Sequence, residues 1–189
     1  MMCELVYMEL LERPLPRSSS EDYASARLLE ALVEGVLALE FLRRGLVRNA
    51  AGKAFQAWRA LLAALLRLEL ERLKAVAKTE EERKWLETTA VPRVPTSRMT
   101  ALSQMLEEAG HAGIAAWTDK ALKLHDYQYH GPDPDMALSK YRNREEAAVD
   151  VLLLLRELTR RIEVLKPRAK WGEELDKALS QLKTELGGR

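Results

Sequence analysis

Cysteine is almost missing from this chain: of 189 residues, only Cys3 carries a thiol. A single cysteine excludes an internal disulfide framework and a cysteine-rich zinc site, and it fits a reducing cytoplasm. As a nucleophile Cys3 is a poor candidate, because its local sequence contains no histidine. Long apolar runs are also scarce; the richest, Val151 to Leu155, is far short of the ~18 residues that a membrane span needs. The opening MMCELVYMELLERPLPR carries Glu4, Glu9 and Glu12 where a leader would be basic, so it does not read as a signal peptide. No charge excess exists either: 30 Lys and Arg stand against 29 Asp and Glu, and a net charge of +1 supplies no overall field toward nucleic acid or an acidic membrane. The expectation is a cytoplasmic chain with no membrane partner.

The strongest mechanistic motifs are missing too. There is no Gly-rich phosphate loop, no Gly-x-Ser-x-Gly, no His-Glu-x-x-His and no EF-hand pattern. Strand alternation and Asn-Gly or Asp-Gly hairpin turns are absent, as is any repeat of solenoid length. What is abundant is Leu, Ala, Glu, Arg and Lys, with few Asn and Gln, a composition similar to that of hyperthermophile proteins.

That composition is organised around Arg48 to Val76. Ala51, Phe55, Trp58, Leu62, Leu65 and Leu68 recur at three- and four-residue steps, and Ala54, Ala57, Leu61 and Ala64 widen the stripe. So broad a stripe predicts a central helix with neighbours on several sides. Gly52 costs roughly 1 kcal/mol against Ala inside a helix, which points to a close approach by another helix or a ligand.

Around this helix the sequence predicts an all-α, antiparallel bundle of four to six helices in one domain. It divides into an N-terminal extension (1–17), a core bundle (18–166) and a C-terminal helix (167–189). Leu5 to Leu11 reads as a short helix ahead of Pro14 and Pro16. Ser18 with Glu21, Thr79 with Glu82 and Asn143 with Glu146 have capping-box spacing, and Gly45 ends the first long helix in a tight hairpin. TTAVPRVPTS, between Thr88 and Ser97, reads as a connecting loop, and Gly110 and Gly113 interrupt the helical pattern before Ile114. Pro167 stops the last long helix, and a final one runs from about Gly172 to Leu186.

Candidate polar chemistry gathers in two places. Arg48, Asn49, Lys53, Gln56 and Arg59 offer donors along the start of the central helix, suited to a phosphate or an RNA backbone. The segment His125-Asp-Tyr-Gln-Tyr-His-Gly-Pro-Asp-Pro-Asp135 leads into Lys140, Tyr141, Arg142 and Arg144, where cations at a helix N-terminus oppose the macrodipole. The binding set predicted there is His125, Tyr127, Tyr129, His130, Asp133, Lys140, Arg142 and Arg144. Five helical residues rotate His130 by ~140° from His125, so these two do not share a metal; no metal or cofactor is expected. Arg160, Arg161 and Lys166 sit at a helix C-terminus, where the dipole accounts for them. Trp58, Trp85, Trp117 and Trp171 fall on helical stripes and read as core anchors.

RNAAGKAFQAWRALLAALL and LHDYQYHGPDPDMALSKYRNREEAAVDVLLLLRELTRRI resemble the second helix and the closing turn and helix of HEPN-like bundles, specifically the archaeal PaREP1-type group. The resemblance spans Ser20 to Leu165. It implies four or five helices, frequently a homodimer, in a superfamily that includes RNA-cleaving toxins and nucleotide-binding partners of minimal nucleotidyltransferases. Active HEPN ribonucleases carry an Arg followed, after a short spacer, by His. Here none of His111, His125 and His130 has such an Arg, and only Lys123 stands at that spacing before His130. Lysine lacks the bidentate fork of arginine. The resemblance therefore implies a non-catalytic module that binds a nucleotide, RNA or protein. The alternatives are a toxin-type ribonuclease using Lys123 and His130 with Tyr129 assisting, and a purely structural dimer module.

Broad stripes on the central helix (Ala60, Ala63) and the last long helix (Leu152, Leu153) predict a homodimer.

Overall fold

The computed structural model describes residues 9–187. Cys3 and most of the predicted Leu5 to Leu11 helix lie outside them; residues 9–12 are helical. The long helices are α1 (Tyr23–Arg43), α2 (Val47–Leu68), α6 (Ile114–His130) and α7 (Arg144–Leu165). Shorter ones are α3 (Leu70–Val76), α4 (Glu80–Trp85), α5 (Met99–Glu108) and α8 (Glu173–Gly187). No strand occurs among the described residues.

α2 is the centre of the bundle, packed against α1, α6 and α7. Phe55, Trp58, Leu61, Leu62 and Leu66 are all fully buried. The Trp58 indole N–H donates to the Thr118 hydroxyl at 3.0 Å, and that hydroxyl donates on to the Ile114 carbonyl at 2.9 Å, so the largest core side chain leaves no polar atom unpaired. Trp85, Trp117 and Trp171 are only half-buried against the core. α8 lies on α1, its Leu182 against Gly35.

Local signals decide most boundaries. Gly45 takes φ +72 and turns α1 into α2, with its N–H on the Leu42 carbonyl. Thr79 accepts from the Glu82 N–H at 3.1 Å while Glu82 accepts from the Lys78 N–H, and Asn143 and Glu146 cap α7 in the same way through the Arg142 N–H. Gly110 and Gly113, at φ +102 and +77, separate α5 from α6.

Four expectations need correction. The helix predicted over Arg48 to Val76 breaks at Glu69, whose buried carboxylate is drawn to His111 and Arg168. α1 begins after Asp22, not at Ser18, because Ser18 to Ser20 form a turn in which the Ser20 hydroxyl accepts the Asp22 N–H. The TTAVPRVPTS segment is largely helical. A π-helical turn (Leu86–Ala90) runs into a helical turn (Val91–Arg93) whose first positions need no N–H, which accommodates Pro92, and Val94 at φ 41 makes the break. Ala60 and Ala63 are buried within the single chain, so the central helix leaves no apolar stripe for a second copy.

Candidate functional site

The sequence-predicted residues converge on one end of the bundle, where the C-termini of α1 and α6 meet the N-termini of α2 and α7. Many of the polar groups there hold the fold. Arg48 reaches across from α2 and donates to the carbonyls of Gln128, at 3.0 Å, and Tyr129, satisfying the last turn of α6. Arg144 does the same for α1 through the Gly45 carbonyl at 3.1 Å, and Lys140 for the turn carbonyl of Met136 at 2.9 Å. Asp133 accepts the backbone N–H groups of Leu138, Ser139 and Asp135, and those bonds hold its carboxyl below the ordinary range. This carboxylate, together with the Asp133 N–H on the Tyr141 carbonyl, shapes the Gly-Pro-Asp-Pro-Asp turn. Tyr127 is buried edge-on to Tyr141, and burial raises its pKa; the Tyr141 hydroxyl donates to Asp150.

A second group of side chains faces outward along the seam between α2 and α6. Gly52 lets α6 approach, and the Gln128 amide lies against the gap where a Cβ would stand. One turn further along α2, the Phe55 ring stacks on the His125 imidazole, with centroids 4.2 Å apart. The Tyr129 ring stands edge-on to His125 at 5.1 Å and is 62% exposed. Burial, opposed by Asp126 and reinforced by Arg59, holds the His125 pKa below its ordinary value, so the imidazole is neutral at pH 7. Its Nδ1 and the Gln128 Oε1 are buried without a hydrogen-bond partner among the described residues.

Arg59 is half-buried and makes no hydrogen bond or ion pair with the described residues, although Glu34 and His125 are within electrostatic reach. Lys53 is paired to Glu34 at 2.9 Å. Glu34 is itself 8% exposed; burial raises its pKa and Lys53 offsets part of that rise. Asn49, His130 and Arg142 keep exposed side chains. Lys123 and His130, seven residues apart on α6, stand two turns and ~10 Å apart along the axis, and both side chains are exposed. No group of three His, Cys, Asp or Glu side chains able to hold a metal occurs among the described residues.

The sequence reading missed a polar cleft at the other end of α2. It opens where α2 breaks at Glu69, and Arg72, His111, Arg160, Arg161 and Arg168 surround it. Its members come from three stretches of sequence, with Glu69 and Arg168 99 residues apart, and the one local trace was the Gly110 to Gly113 interruption.

An all-α bundle with a central alanine-rich helix, and no helix among the described residues long and apolar enough to cross a membrane, defines the class. Within it the chain belongs to the archaeal PaREP1/PaREP8 family, whose profile matches residues 26–152, the whole α2–α6 seam included. No curated protein and no solved structure matches the chain.

Proposed function

We propose that this family member is a non-catalytic binding module that takes a nucleotide or single-stranded RNA at the α2–α6 seam. One observation carries the reading: an exposed Tyr129 ring braced by the Phe55–His125 stack, on the same seam as an Arg59 guanidinium that has no hydrogen-bond partner among the described residues. An open aromatic face accepts a base by stacking, and an unpaired guanidinium accepts a phosphate. The neutral His125 suits a hydrogen bond to a base edge more than charge neutralisation. Asn49, Lys53, His130 and Arg142 extend the polar surface. The kinship with HEPN-like bundles and a cytoplasmic location belong to the same proposal.

Fluorescence anisotropy with a labelled RNA oligonucleotide tests it. Arg59→Ala and Tyr129→Ala should each weaken binding by roughly tenfold, since stacking or a charge-assisted contact is worth about 1–3 kcal/mol. Unchanged affinity in both variants would remove the seam from consideration.

For the partner, we infer a second copy docked on the outer face of α7. Val149 and Leu153 are exposed there, with Leu138 beside the start of the helix, and half-buried Leu152 adds to the face. Glu145 and Arg156 flank this strip on either side along α7, so an antiparallel twofold contact would bring Glu145 toward Arg156 of the partner subunit. Sedimentation equilibrium should give twice the mass of the 21.5 kDa chain, and Leu153→Asp should return it to one. A wild-type mass of one chain at micromolar concentration would contradict the dimer.

A further inference from the structure

The cleft at the far end of α2 is built differently from the seam and stands independently of it. Glu69 sits at its floor, 6% exposed, where the α2 helix breaks. Its Oε1 accepts from Arg168 Nη1 at 2.7 Å and lies 2.9 Å from His111 Nε2. On one wall Glu157 holds both Arg160 and Arg161, and Arg161 also donates to the Ala112 carbonyl at 2.8 Å. On the other, Arg72 donates to the Ala109 carbonyl at 2.6 Å and has no carboxylate partner among the described residues. Four guanidiniums therefore have two carboxylates as direct partners, Glu69 and Glu157, while Glu107 acts on Arg161 from further away.

Each arginine is fixed along part of its fork and keeps further donors. A guanidinium has five N–H groups, and Arg72 and Arg168 each spend one on the contacts above. The Arg168 and Arg160 side chains are 44% and 60% exposed at the cleft mouth. Burial, with Arg160 alongside, holds the Arg161 guanidinium below its ordinary pKa against the pull of Glu157 and Glu107. A positive charge that is costly to keep there gains from an arriving anion. The cleft has a volume of about 610 Å³, and Leu65, Val164 and Leu165 give it an apolar side. That volume falls within the range of small-molecule sites.

We propose that this cleft is an anion site for a phosphoryl group, gripped by the free donors of Arg72, Arg160 and Arg168, with the apolar side against the organic part of the ligand. Arginine forks match phosphate oxygens two at a time, which a lysine patch would not. Glu69 acts as an internal counter-ion: it holds Arg168 in place while the site is empty and shares it with the ligand when the site is filled. The phosphoryl group can come from a free phosphorylated small molecule or from a nucleic-acid strand.

Isothermal titration with inorganic pyrophosphate, ADP and a short RNA separates these sources. Binding of pyrophosphate and ADP that falls at least tenfold in Arg168→Ala supports a small-molecule site. Binding of RNA alone, with the same loss, supports a strand phosphate. Arg160→Ala, at the most exposed of these arginines, should show the loss as well and is read in place of Arg168→Ala if that variant does not fold. Lys84→Ala/Arg93→Ala removes two exposed charges outside the cleft and should bind as wild type does. The proposal is overturned if no probe binds at millimolar concentration, or if affinity is the same in Arg160→Ala and Arg168→Ala as in wild type.

Discussion

Gly52 and Gln128 interlock where α2 and α6 come closest: a Cβ on Gly52 would stand 2.6 Å from the Gln128 Cδ and 2.8 Å from its Nε2. The glycine in the middle of a helix is therefore explained by the side chain of the neighbouring helix. Two effects oppose each other in Gly52→Ala. Alanine favours the helix by up to ~1 kcal/mol, while the Gln128 amide must leave its place. In a Gln128→Ala background only the first effect remains, so Gly52→Ala should stabilise by up to ~1 kcal/mol there and by clearly less, or not at all, in wild type. Urea denaturation of the four proteins measures this coupling, and equal effects in both backgrounds would refute the interlock.

Trp58 is fully buried and bonded to Thr118. Trp58→Ala should cost about 3–5 kcal/mol, because it leaves a large cavity at the centre of the bundle. Trp58→Phe should cost less, since the ring volume is partly kept and the Thr118 hydroxyl still donates to the Ile114 carbonyl. A loss under ~1 kcal/mol for the alanine variant would contradict the central role of α2.

Glu69 gives a pH signature. Burial pushes its carboxyl up, but the hydrogen bonds from Arg168 and His111 outweigh that and hold it below 4.5. A carboxyl with a depressed folded pKa contributes stability that is fully present above the unfolded value and is lost as pH falls through the folded one. The stability difference between wild type and Glu69→Gln should thus be level well above pH 4.5 and shrink as acid protonates the glutamate. Denaturant melts at a series of pH values follow it, and a difference that stays constant into the acid range would contradict the ion-pair account.

Signals confined to a few neighbouring residues were legible in the sequence. The hairpin at Gly45, the caps at Thr79 and Asn143 and the double glycine break before Ile114 all depend on local backbone chemistry. The broad stripe of α2 identified the central helix by the same logic. What was not legible depends on contacts distant in sequence. The break at Glu69 follows from His111 and Arg168, which lie 42 and 99 residues away. Ala60 and Ala63 looked like dimer positions because nothing local shows that the chain itself covers them. At the bundle end, residue type marked Arg48, Asp133 and Arg144 as polar and unusual, yet only their partners reveal that each binds backbone groups of a turn or helix end. Arg160 and Arg161 illustrate the converse, since helix-end position accounted for them until Arg72 and Arg168 came alongside.

The central claim, binding at the seam without catalysis, is tested most directly by incubating the pure protein with end-labelled RNA and resolving the mixture on native and denaturing gels, for wild type, Tyr129→Ala and His130→Ala. The account predicts a shifted complex with wild type, a weakened one with Tyr129→Ala, and full-length RNA in every lane of the denaturing gel. Cleavage products that appear with wild type and vanish with His130→Ala would contradict it.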